Sequence, residues 1–183
     1  FGTAINPKSI VDQPYQFDFY DGGGLDCAFL SFAEIDKNGN VNVSRFGNRN
    51  DGAGGFINIA QGAKKVVFSG TLTGGGLSTS IVKGNLKINK EGKNKKFVKR
   101  VNQITFSSKD AIKRGQLILF NTDRGLFKII NGKITLIEVA RGVRIKEDII
   151  DQIPFKINIS KNLKKISKNI YYEKKIGLKK NIN

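Results

Sequence analysis

The 183-residue sequence has no histidine, no methionine and one cysteine, and its 15 acidic residues face 32 basic ones. Each shortage excludes something. Without histidine the chain supplies neither the Ser-His-Asp and Cys-His nucleophile systems nor a His-ligated zinc site. Cys27 is alone, so it forms no internal disulfide and no multi-cysteine metal centre. Within Cys27-Ala28-Phe29-Leu30 it reads as a buried structural thiol. This cysteine usage fits a cytoplasmic protein, and no metal is expected. No apolar run approaches the ~20 residues of a membrane span, and neither end carries a signal peptide. Methionine is missing even at position 1, which gives the expectation of a piece of a longer polypeptide.

What is present is a foldable chain with an uneven charge. Hydrophobic residues make up 39% of it, enough for a core rather than a disordered polymer. The net charge of +17 leaves nucleic acid, an anionic membrane and a phosphorylated ligand open as partners. Its distribution narrows them. Residues 83–100 and 160–183 each carry +7, whereas residues 1–62 carry −3. Lysine supplies 25 of the 32 cations and arginine only seven, although nucleic-acid interfaces favour arginine for bidentate contacts. Lysine, asparagine and isoleucine together account for 67 residues, a bias that suggests AT-rich coding more than phosphate recognition. A basic nucleic-acid-binding module is thus the weaker alternative, and no nucleic-acid or membrane partner is expected.

Local patterns predict a mixed α/β chain without internal repeats. Residues 1–24 read as loop, because Asn6-Pro7 and Gln13-Pro14 disfavour helix and Tyr15 to Tyr20 alternates aromatic and polar. A buried strand is predicted over 27–35, then a turn at 36–40 and a returning strand at 41–43. That turn is not a calcium loop, since Val41 stands where the hand-loop pattern needs glycine. A glycine-rich loop over 47–56 precedes a short helix over 56–62 and a strand over 64–68. A second glycine-rich loop follows at 70–76. Residues 77–106 look β-rich, with a turn at Lys83-Gly84-Asn85 and a loop near Gly92. A short helix over 108–114 is capped by Ser107 or Ser108, and a strand follows at 117–120. Asn131-Gly132 joins a hairpin over 126–139. A short helix spans 146–153 and stops at Pro154. The segment after Ser160 is left as helix, solvated arm or frayed coil.

The loop Gly52-Ala53-Gly54-Gly55-Phe56 holds the most chemistry. It fails the dinucleotide fingerprint, because Ile57 stands in place of the third glycine, and no Walker pattern occurs. Glycines lacking Cβ can still bring backbone N–H groups close to an anion or an oxyanion. A tight turn with close packing is the other reading. Asp21-Gly22-Gly23-Gly24-Leu25-Asp26 offers carboxylates for acid/base work but is also ordinary turn chemistry. The 83–100 lysine run is either a phosphate contact or a solvated face.

Taken in series, the motifs resemble the family I acyl-CoA:carboxylate CoA-transferases, the acetate, propionate and acetoacetate type. The likeness rests on Tyr15-Gln16-Phe17-Asp18-Phe19-Tyr20-Asp21-Gly22-Gly23-Gly24-Leu25-Asp26, Gly39-Asn40-Val41-Asn42-Val43-Ser44, the loop at 52–56 and Ala63-Lys64-Lys65-Val66-Val67-Phe68. It continues through Gly70-Thr71, Phe97-Val98-Lys99, Gln103-Ile104-Thr105-Phe106 and Leu136-Ile137-Glu138-Val139-Ala140. It covers 1–160, which gives a C-terminal transferase portion at 1–160 and a Lys-rich tail at 161–183. Asn48 departs from the family's usual proline, and Ala53 and Ser69 from positions that often hold cysteine.

The resemblance implies part of the second half of an open α/β sheet with β-hairpins. It implies coenzyme A as substrate, moved between an acyl-CoA and a short-chain carboxylate by double displacement. A glutamate attacks the thioester to give an acyl-glutamyl anhydride. The freed thiolate converts this to a glutamyl-CoA thioester, and an incoming carboxylate takes the CoA. Gly52, Gly54 and Gly55, with Phe56 following, map onto the family's oxyanion loop. Gly22, Gly23, Gly24, Gly74 and Gly75 are the candidate CoA-binding positions. None of Glu34, Glu91, Glu138, Glu147 and Glu173 sits in the glycine-bearing motif of the family's nucleophile. That glutamate is therefore expected upstream, in a missing N-terminal part of the same enzyme, and the chain alone is expected to be inactive. The complete enzyme is expected to be a cytoplasmic homo-oligomer. A CoA-binding domain that has lost catalysis is the further alternative.

Overall fold

The computed structural model describes residues 4–172. In chain order, α1 (Gln13–Asp21) precedes β1 (Cys27–Ser31), β2 (Glu34–Asp36), β3 (Val41–Asn42), β4 (Arg45–Phe46) and β5 (Arg49–Asn50). Then come α2 (Phe56–Gly62), β6 (Lys65–Gly70), β7 (Thr73–Gly74), β8 (Ser78–Val82), β9 (Asn85–Lys90), β10 (Asn94–Lys95) and β11 (Phe97–Val98). The remainder is α3 (Ser108–Lys113), β12 (Leu117–Thr122), β13 (Gly125–Ile130), β14 (Lys133–Val139) and β15 (Asn158–Lys165). A six-stranded sheet in the order β1-β6-β12-β13-β14-β15 carries the fold. Strands β1, β6 and β12 are mutually parallel, β13 and β14 return as antiparallel neighbours, and β15 lies parallel to β14. The expected α/β class with hairpins is what forms. Among the described residues no helix is long and apolar enough to cross a membrane.

Turn chemistry sets much of this. Asn131 and Gly132 take φ of 50° and 72°, the left-handed pair that lets a two-residue turn follow strand twist. Lys83 and Gly84, at 51° and 74°, do the same between β8 and β9. The Ser107 hydroxyl accepts the Asp110 N–H at 3.3 Å and caps α3.

The core lies on one face of the sheet, where Ala28, Val66, Phe68, Ile118 and Phe120 point the same way from β1, β6 and β12. The Phe68 ring stacks between Phe56 at 5.7 Å and Phe120 at 5.9 Å, and Phe106 meets it edge-on at 5.0 Å. Truncating a fully buried phenylalanine of this kind costs about 3–5 kcal/mol. The opposite face is open at β1, where Phe29 is 74% exposed.

Four expectations need correction. Residues 13–21 are helical, not loop: Pro14 sits in the first turn, where its fixed φ is tolerated, and Gly22 caps the end. The apparent alternation hid a helical spacing, since Phe17 and Tyr20 stack edge-on at 5.4 Å. The strand predicted over 27–35 stops at Ser31 and restarts at Glu34 in another sheet, and Cys27 at its start is exposed rather than buried. Over 145–152 a π-helical turn runs into a 3₁₀ turn. There Asp148 is pulled toward Arg144, and its carbonyl accepts from Arg124 Nη1 at 2.5 Å. Finally, the residues after 160 begin within β15, whose Ile159 pairs with Leu136. Glu173 and the rest of 173–183 lie outside the described residues.

Candidate functional site

The parallel strands β1, β6 and β12 end at Ser31, Gly70 and Thr122, and their carboxyl ends share one edge of the sheet. In open α/β sheets ligands are met outside such an edge. Helix α2 runs back from it. Its C-terminal end is pinned at the other edge by Gln116, whose Nε2 donates to the carbonyls of Ala60 at 2.7 Å and Ala63 at 2.6 Å. Its first residue, Phe56, stacks on Phe68 near the end of β6. The glycine loop before α2 is thus level with the last residues of β6.

A buried polar cluster fixes the base of that loop. The Ser44 carbonyl accepts the N–H groups of Asp51 at 2.8 Å and Gly52 at 3.1 Å. Ser44 shares a 2.7 Å hydrogen bond with Thr105 through their hydroxyls, and its N–H donates to Asn42 Oδ1 at 3.0 Å. Asn42 is fully buried and donates to Glu34 Oε2 and to the Arg45 carbonyl, both at 2.7 Å. The loop thereby closes over the β4–β5 hairpin.

Within the loop the four predicted positions divide. The Gly52 N–H is spent on Ser44, and the Phe56 N–H on the Ala53 carbonyl at 3.1 Å. The N–H groups of Gly54 and Gly55 have no acceptor among the described residues. Gly54 has φ +54° and Gly55 φ −79°. Such a left-then-right succession turns neighbouring N–H groups toward one concavity and favours an anion. A Cβ on Gly54 would meet nothing within 4 Å, so this side is open. A Cβ on Gly55 would stand 2.7 Å from the Phe17 ring, so α1 packs directly against the loop.

The other predicted glycines are placed differently. Gly22, Gly23 and Gly24 terminate α1, and their N–H groups donate to the carbonyls of Asp18, Tyr20 and Phe19. They offer no spare amide donors. Gly74 and Gly75 lie after β6 at the same sheet edge, folded onto the segment 92–94. A Cβ on Gly92 would stand 2.4 Å from the Gly74 carbonyl oxygen, and the Gly75 carbonyl accepts from Lys93. Two surface clefts, of about 550 and 580 Å³, lie at Lys83–Ile88 with Arg144 and around Ser107–Lys113, away from the glycine loop.

A buried arginine organises the same edge, and nothing in the sequence singled it out. Arg124, 0% exposed, follows β12 and pairs with both oxygens of Glu91 at 2.6 and 2.8 Å. It also reaches Asp123 Oδ2 at 3.3 Å, Thr73 Oγ1 at 3.4 Å and the Asp148 carbonyl. Asp123 Oδ1 in turn accepts the Leu72 N–H at 2.8 Å. The segment 72–74 is therefore tied to the turn after β12. Burial pushes the Glu91 carboxyl up, but hydrogen bonds from Arg124 and Thr73 and the Arg124 charge outweigh it, and it ends below its ordinary value. The partners lie 33 and 51 residues away, which no local pattern reveals.

Set beside known proteins, the chain matches no family model. It is 46% identical over 183 residues to the caffeate CoA-transferase of Acetobacterium woodii, covering 97% of this chain and 35% of that protein. It is 44% identical over 177 residues to the acetate CoA-transferase YdiF of Escherichia coli (strain K12), covering 97% of this chain and 33% of that protein. A crystal structure of the acyl-CoA transferase YdiF from E. coli O157:H7, in a thioester complex with CoA, superposes with a TM-score of 0.91 at 43% identity. That match covers 94% of this chain and 34% of the other. The chain spans about a third of the length of the relatives it matches. Over nearly its whole length the chain is thus similar in sequence and in fold to about a third of a CoA-transferase polypeptide, the family that its motifs resemble.

Proposed function

We propose that this chain supplies the oxyanion-binding part of an enzyme that moves coenzyme A between a short-chain acyl-CoA and a carboxylate through a glutamyl-CoA thioester. The observation that carries the reading is the pair of N–H groups on Gly54 and Gly55, without acceptors among the described residues, at the carboxyl edge of the parallel strands. A carboxylate attacking a thioester carbon leaves a negative oxygen on that carbon before the thiolate departs. The same charge develops when the thiolate returns to the glutamyl carbonyl and when the incoming carboxylate displaces it. Two fixed amide donors stabilise each of these oxyanions, and losing one such donor costs about 10²–10³ in rate. The carboxylate is a weak nucleophile, and binding energy from the remote CoA tail offsets this.

The nucleophilic glutamate is assigned to a part of the enzyme outside this chain. The other proposed features rest on the family likeness: a cytoplasmic homo-oligomer that serves short-chain fatty acid metabolism and needs no metal. The test pairs two measurements. The chain is titrated with CoA and with duplex DNA across a salt series, and CoA transfer is assayed with the chain alone and with the remaining polypeptide supplied. The expected result is CoA binding, no transfer by the chain alone, and transfer on completion. Steeply salt-dependent DNA binding without CoA affinity removes the reading, and transfer by the chain alone removes the assignment of the nucleophile elsewhere.

A further inference from the structure

The lysine run at 83–100 contains one member that is not a solvated surface charge. Lys96 is anchored between two elements: its carbonyl accepts the Ile35 N–H at 2.8 Å, and its N–H donates to the Leu72 carbonyl at 3.4 Å. The side chain is half-buried and passes Gly74, where an added Cβ would lie 3.4 Å from Lys96 Cε. Its Nζ stands over the Phe32 ring, 5.3 Å from the centroid. Among the described residues it has neither a hydrogen-bond acceptor nor a carboxylate within 4.0 Å. The nearest acidic influence is Asp123, whose oxygens are already engaged by the Leu72 N–H and Arg124 Nε. Burial lowers the ammonium below its ordinary value, and the Asp123 charge only partly opposes this. A half-desolvated cation without a partner lacks a charge-assisted hydrogen bond that an anion would complete.

Its position gives that anion an identity. Phe32 follows the end of β1, and Gly70, which ends β6, packs against the same ring. Lys96 Nζ therefore stands at the carboxyl edge of β1 and β6, the edge to which the Gly54–Gly55 amides are also level. The Phe32 face and the bare Cα atoms of Gly70 and Gly74 form an apolar floor beneath the charge. An ammonium above such a floor suits a carboxylate with a short apolar tail better than a fully hydrated phosphate.

We propose that Lys96 holds the carboxylate group of the small acid that accepts or leaves coenzyme A, and so sets affinity for that substrate. The proposal rests on the CoA-transfer reading for the role of the acid, while the binding itself is testable without it. The ¹⁵N-labelled chain is titrated with acetate, and with inorganic phosphate as a second probe. Acetate is expected to shift the Gly70 and Gly74 amides saturably. Lys96→Met, which keeps the stem over Phe32, is expected to weaken this about tenfold or more, and Lys96→Arg to keep most of it. Absence of saturable shifts, shifts unchanged in Lys96→Met, or equal affinity for phosphate would overturn the proposal. In the completed enzyme Lys96→Met should raise KM for the carboxylate and leave KM for acyl-CoA unchanged. Acetate binding through Lys96 without any CoA transfer would leave the binding site standing and remove the transfer reading. Transfer with an unaltered carboxylate KM would do the reverse.

Discussion

Arg124 and Glu91 make an unequal pair, and the inequality predicts which partner the fold can less easily lose. The guanidinium is 0% exposed and all of its donor nitrogens are engaged, whereas the Glu91 side chain keeps 33% of its surface in water. Glu91→Gln strands a buried cation, whose remaining carboxylate partner is Asp123 at 3.3 Å. Breaking a buried pair in this way costs about 3–5 kcal/mol. Arg124→Met strands the carboxylate instead, but solvent, the Thr73 hydroxyl and the Gly92 N–H at 3.1 Å still reach it. A cost of about 2–3 kcal/mol, at or below the low end of the same range, is then expected. The double substitution should cost less than the two singles combined, with a coupling of at least ~1 kcal/mol. Urea unfolding followed by circular dichroism reads this directly. With a slope of about 2 kcal/mol per molar, Glu91→Gln lowers the midpoint by roughly 1.5–2.5 M and Arg124→Met by roughly 1–1.5 M. Glu91→Gln proving the milder of the two, or additivity within ~0.5 kcal/mol, would refute the claim that the cation's burial dominates.

Four further outcomes are expected of the fold. Glu91 and Asp148 both titrate below the ordinary carboxylate range. Their contribution is present above that range and lost as pH falls from about 5 toward 3, so the urea midpoint should drop there, and drop less in Arg124→Met. Gly62→Ala places a Cβ 2.0 Å from the Tyr20 carbonyl oxygen, so it should force α1 from α2 and cost upward of ~3 kcal/mol. Gly54→Ala meets nothing within 4 Å and should cost only the ~1–2 kcal/mol of its left-handed φ in the same urea experiment. Cys27, exposed at the start of the edge strand, should react with a thiol reagent in native buffer as fast as in denaturant; protection until unfolding would contradict its placement.

The sequence was most legible where a single residue type determines the backbone. Asn131-Gly132 and the glycine of Lys83-Gly84 are legible as turns because left-handed φ selects asparagine and glycine, whereas Lys83 takes it without that preference. The limits of α2 at Phe56 and Gly62 and the Ser107 cap of α3 were legible for similar local reasons. The helix at Gln13–Asp21 was missed because it has no buried residue, so no apolar stripe marked its period. Strand β15 escapes local reading because, of its eight residues, Leu163 packs against the core while Ile159 is exposed, so no apolar alternation marks it among the lysines. At the candidate site the glycine loop was visible as composition. Which of its amides are spent was not, because that depends on Ser44 and on Thr105, 61 residues from it.

The six-stranded sheet has two unlike borders. One is β15, where Lys161, Lys164 and Lys165 would set like charges against any strand laid alongside. The other is β1, a short edge with Cys27 and Phe29 exposed and no lysine among its five residues. Growth of the sheet is thus opposed on one side and permitted on the other. At β15 the chain's excess of lysine has a physical consequence that coding bias does not describe: a strand laid there would meet a row of like charges, whereas one laid beside β1 would meet none from that strand.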